Sequence, residues 1–131
     1  MQSHFRLIVL VATLAALSVD TARADDMTLQ FKFTSRNRCS AISPAFNLSG
    51  VPQNTKQLRF KMEDFQAPNF NHGGGTVAYA GQSAIPEGAL KSFYGPCPPQ
   101  GVHRYQITVD AIDYAGAVLA ATKTVEPCCS F

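Results

Sequence analysis

The 131-residue chain carries 11 Lys and Arg against 9 Asp and Glu, a formal net charge of +2. So even a balance, with no basic run, leaves no electrostatic footprint for nucleic acid or an anionic membrane surface. The length suits one modest domain with little stability to spare, so covalent cross-links would help it.

Residues 1–24 read as a cleaved signal peptide. Arg6 supplies a positive start, residues 7–17 an apolar run, and Ala22-Arg23-Ala24 the small residues that a signal peptidase accepts. The run is too short for a bilayer core that needs about 20 residues. No later segment is long enough to span either, so no transmembrane segment is expected. Residues 25–131 are then expected to form a single exported domain, periplasmic or extracellular.

Strand signals follow in order. Leu29-Gln30-Phe31-Lys32-Phe33 alternates apolar with polar residues, and Leu58-Arg59-Phe60-Lys61-Met62 repeats the pattern. Residues 76–80 are a short run of strand formers, residues 105–111 alternate again, and residues 118–125 read as a last strand. Pro- and Gly-rich connections separate them at 43–44, 49–52, 64–75 and 95–101. No window reads as a long amphipathic helix. The expected fold is all-β, an antiparallel sandwich with few or no helices.

All four cysteines, Cys39, Cys97, Cys128 and Cys129, lie beyond the signal. In an oxidising compartment an even count predicts two disulfides, with three possible connectivities. A bond between the adjacent Cys128 and Cys129 closes a strained ring, so Cys39 and Cys97 are each expected to pair with one of them. The order of that pairing stays open. The cysteines lack C-x-x-C or C-x-x-H spacing, so neither a metal site nor a cofactor is expected.

Two connections differ from ordinary loops. Residues 63–75 and 94–105 each hold one histidine, His72 and His103, each is stiffened by proline or opened by glycine, and each runs into a strand. Loops positioned by a rigid sheet commonly carry binding residues.

The second of these, Tyr94-Gly95-Pro96-Cys97-Pro98-Pro99-Gln100-Gly101-Val102-His103-Arg104-Tyr105, resembles a signature of the phosphatidylethanolamine-binding protein family, in its bacterial Raf-kinase-inhibitor-like branch. Asp64-Phe65-Gln66-Ala67-Pro68 resembles that family's D-P-D-A-P, with His72 as the histidine that follows. Residues 43–52 and 85–89 are similar to two further family segments. Five places depart from the pattern: Gln66 stands for an aspartate, Gly73 for a tryptophan, Leu48 for an aromatic residue, the stretch between Ala89 and Tyr94 is short, and Glu126-Pro127-Cys128-Cys129-Ser130-Phe131 replaces the usual C-terminal extension.

The resemblance implies a small pocket at one end of the sheet for phosphate or a phospholipid headgroup, with Asp64, His72, Gly95, Cys97, Pro98, His103 and Tyr105 as binding residues. The chemistry is compatible. Each imidazole offers one N–H when neutral and two when protonated, and Asp64 would favour the charged ring. Plainer roles stand beside these: Asp64 as a turn cap, Tyr105 as core, the triple glycine 73–75 as a turn. Arg104 should point to the opposite face. A binding protein rather than an enzyme is expected, because the chain has no G-x-S-x-G and no H-E-x-x-H. The alternatives are a module that contacts or inhibits an exported protease or surface partner and, less readily, a hydrolase. For the latter, a disulfide at Cys97 would remove the thiolate it needs.

Overall fold

Alternating burial organises the chain into eight strands, and the computed structural model describes residues 26–129 of it. The strands are β1 (Thr28–Phe31), β2 (Phe46–Ser49), β3 (Gln57–Asp64), β4 (Gly73–Ala78), β5 (Ala84–Ile85), β6 (Ser92–Phe93), β7 (His103–Ile112) and β8 (Val118–Cys128). No α-helix occurs among the described residues. The signal peptide expected over 1–24 lies outside them.

Two antiparallel sheets form, β1-β2-β5 and β6-β4-β3-β7-β8. In β3 the residues Leu58, Phe60, Met62 and Asp64 turn inward while Gln57, Arg59 and Lys61 stay exposed, as period-two alternation requires. Tyr105, Ile107, Val109 and Ala111 do the same in β7. Across from them the small sheet contributes Leu29, Phe31, Phe46 and Leu48 to one shared core. Phe46 and Phe60 meet between the sheets with ring centroids 4.7 Å apart. Removing either ring would cost about 3–5 kcal/mol, because the close-packed surroundings cannot fill the void. The all-β, two-sheet architecture expected from the alternation is the one observed.

Two local readings need correction. Strand β2 falls in a stretch whose neighbouring prolines mark it as a connection; Phe46 and Leu48 pair with Phe31 and Leu29 and thereby become core. Residues 73–75 are not a turn but the start of β4, hydrogen-bonded to β3 and β6. Gly74 is needed there: its φ is 157°, and a Cβ would collide with the Phe60 carbonyl on the neighbouring strand.

The disulfides also differ from expectation. Cys39 bonds Cys97, and Cys128 bonds Cys129. The reason for the first lies in the backbone. The turn before Ser40 docks against the 94–97 segment, with Cys39 N–H donating to Pro96 O at 2.9 Å and Gly95 N–H to Ser40 O at 2.7 Å. That pairing sets the Cys39 and Cys97 Cα atoms 4.6 Å apart, within bridging range. The two C-terminal cysteines are left to each other.

Candidate functional site

Antiparallel pairing of β3 with β7 sets Asp64 opposite Tyr105. The C-terminal end of β3 and the N-terminal end of β7 therefore coincide, and β4 begins there too, directly after His72. Both histidine loops leave from this one end of the large sheet. Phe65 N–H donates to Arg104 O at 2.9 Å, and Gln66 Oε1 accepts from Arg104 N–H at 2.7 Å. Gln66, which departs from the family pattern, thus ties the first loop to the second.

Asp64 is an inward position of β3, so its carboxylate ends at the edge of the core, 4% exposed. One oxygen, Oδ1, accepts from the N–H groups of Gln66 at 2.8 Å and Ala67 at 3.2 Å, which folds the first turn of the loop. The other, Oδ2, accepts from His103 Nδ1 at 2.7 Å and stands 4.0 Å from His72 Nε2. Burial opposes ionisation of Asp64. The hydrogen bonds from His103, Gln66 and Ala67, with the charge of His103, outweigh it and hold the carboxyl below its ordinary range.

His72 is held from its other side, Nδ1 donating to Tyr94 O at 2.8 Å. Beneath both rings lies Tyr105, fully buried, edge-on to His72 at 5.4 Å and stacked on His103 at 6.2 Å. Its phenolic oxygen is buried and makes no well-formed hydrogen bond among the described residues, though Asp64 lies close enough to act on it. Burial first, and then the Asp64 charge, push its pKa well above the usual tyrosine range.

A hollow of about 220 Å³ opens over this cluster. Of the residues singled out from the sequence, Asp64, His72, Cys97, Pro98 and His103 line it. Tyr105 does not line it but packs against the two histidine rings from the core. Gly95 stands behind it, where a Cβ would collide with the Asn37 carbonyl. Arg104 is outside, its guanidinium 5.9 Å from the Phe65 ring centroid. Cys97 is disulfide-bonded and offers no thiolate. Among the described residues no cluster of three or more His, Cys, Asp or Glu is arranged to hold a metal ion.

Sequence reasoning missed the aromatic side of the hollow. Phe70 packs 4.5 Å from His72 and 5.8 Å from Tyr94, and both Phe70 and Tyr94 remain exposed. The signal available was their position: each lies on a histidine loop with no strand pattern to bury it. A wider, shallower trough of about 670 Å³ crosses the outer face of the large sheet. Its charges neutralise one another, Arg59 with Asp110 at 2.8 Å and Lys61 with Glu63 at 2.8 Å.

A family model described as "Phosphatidylethanolamine-binding protein" matches residues 19–127. A curated relative, the UPF0098 protein of Archaeoglobus fulgidus, is 28% identical over 82% of the chain. The match covers 47% of that relative, so the chain spans about half its length. Two solved structures share the fold. One is a phosphatidylethanolamine-binding protein homologue of Chlamydia trachomatis, with TM-score 0.63 and 20% identity over 81% of this chain and 99% of that one. The other is YbcL of Escherichia coli, described as a member of the mammalian family, with TM-score 0.58 and 19% identity over 78% and 97%.

Proposed function

Because the chain belongs to the phosphatidylethanolamine-binding protein family, we propose that it is an exported binding protein whose end-of-sheet hollow takes a small anion, phosphate or the phosphate of a phospholipid headgroup. One observation carries the reading: two imidazoles from different loops border a single hollow and share one buried carboxylate. When protonated, each ring presents a second N–H, at Nε2, for an anion in the hollow. The oxidised cysteines suit an export compartment.

Binding rather than catalysis fits the chemistry of the lining. Asp64 already accepts from three donors, which leaves it poorly placed as a general base. The site offers no activated nucleophile at Cys97. The lining has an apolar side, with Phe70 50% and Tyr94 41% exposed beside Ala67, Pro98 and Pro99, which suits the carbon part of a ligand. The same apolar side favours a second reading, a contact surface for an exported protein.

Calorimetric titration with inorganic phosphate near pH 6 tests the proposal. Saturable binding that is lost in His103→Ala, with the fold retained by circular dichroism, is expected. Equal binding by the variant, or none by the parent protein, would shift the assignment to protein contact.

A further inference from the structure

The hydrogen bonds that orient the two imidazoles also decide where their protons sit. A carbonyl only accepts, so the His72 Nδ1 that meets Tyr94 O at 2.8 Å carries a hydrogen. An ionised carboxylate likewise only accepts, so His103 Nδ1, 2.7 Å from Asp64 Oδ2, carries one too. With both rings neutral, each Nε2 is therefore a bare lone pair. Neither makes a hydrogen bond among the described residues, and that of His72 stands 4.0 Å from another acceptor, Asp64 Oδ2.

An oxyanion needs donors, and in the neutral hollow both free ring nitrogens are acceptors; the Tyr94 hydroxyl is the one neutral side-chain donor among its lining residues. No Lys or Arg is among its lining residues. The titratable groups facing the rings are Asp64 at the end of β3, Tyr94 after β6, and Tyr105 on β7. Cys97, in its disulfide, does not titrate. With neutral rings the site holds one fixed negative charge, Asp64, which repels an incoming anion.

We infer that an oxyanion enters this hollow together with a proton, taken up on Nε2 of His72 or His103 or brought on the ligand as a hydroxyl. The inference rests on the anion-binding reading and specifies the ligand class of that same site. Hydrogen phosphate carries a P–OH able to donate to a neutral Nε2. Sulfate carries none near neutrality and must draw its proton from solvent. The hollow thus separates two tetrahedral oxyanions of similar size by their protons, and favours the one that is itself an acid.

The test is calorimetry on the oxidised protein with sodium sulfate and with inorganic phosphate, from pH 5.5 to 8, in buffers of different ionisation enthalpy. Sulfate affinity should fall about tenfold per pH unit for each proton taken up, once pH rises through the range where imidazoles discharge. About one proton should be absorbed per sulfate, and the preference for phosphate should widen as pH rises. Sulfate affinity that is flat with pH, with no dependence of heat on buffer, overturns this inference and leaves anion binding standing. Failure of both anions to bind at pH 5.5 overturns the anion reading and this inference together.

Discussion

Asp64 and His103 are 39 residues apart in the sequence, yet Asp64 Oδ2 and His103 Nδ1 lie 2.7 Å from each other. The contact joins the last residue of β3 to the first of β7, so it reports directly on whether the two loops are held together. It also gives the protein a pH signature.

Because the folded state holds the Asp64 carboxyl below its ordinary value of 3.8, its contribution to stability is present above that value. The contribution is lost as pH falls through the lower folded value, since the unfolded chain binds the proton first. Asp64→Asn should flatten the acid limb of the stability profile and cost about 1–3 kcal/mol near neutrality. Urea unfolding across acidic pH is the measurement, and an unchanged acid limb would contradict the assignment.

Tyr105 predicts the opposite limb. Its raised pKa means that the unfolded chain ionises first, so stability is present below the ordinary value of 10.0 and declines as pH rises above it. Tyr105→Phe should remove that alkaline decline. At neutral pH it should change stability by less than about 1 kcal/mol, because the hydroxyl, close to Asp64, makes no well-formed hydrogen bond. Urea unfolding from about pH 7 to 11 is the measurement, and an unchanged alkaline limb would contradict the assignment.

The Cys39–Cys97 bond closes a separation of 58 residues and holds one wall of the hollow to the turn before Ser40. The double variant Cys39→Ser with Cys97→Ser should lose about 2–4 kcal/mol, chiefly through the freer unfolded chain. Anion affinity should fall beside that loss. Denaturant unfolding and calorimetry on the same preparation separate the two effects.

Gly95→Ala tests the docking of that same turn. The added methyl would meet the carbonyl of Asn37, a fully buried residue whose side chain accepts from Thr34 N–H at 2.8 Å and donates to Ile42 O at 3.0 Å. Overpacking against backbone of this kind should cost about 1–3 kcal/mol. A fall in the thermal midpoint of several degrees is expected, and no fall would mean that the segment has room to move.

How far the sequence could be read follows from what each feature depends on. Strands β1, β3 and β7 were legible because alternation is a local property, visible wherever one face is buried and the other wet. Strand β2 was not, since four residues between Pro44 and Pro52 carry too little pattern and become core only when the large sheet covers them. Asp64, His72 and His103 were legible as candidates from the motifs on their loops.

What the chain alone determined was the alternation that makes two sheets and the residue types that meet at one end. Tertiary structure decided which cysteine reached which, that Gly73 to Gly75 would pair as strand, that Phe70 and Tyr94 would wall the hollow, and which ring nitrogens carry protons. Each of these depends on distances between segments far apart in sequence. Side-chain periodicity holds no information about such distances; only the pairing of β3 with β7 and the docking of their loops supplies it.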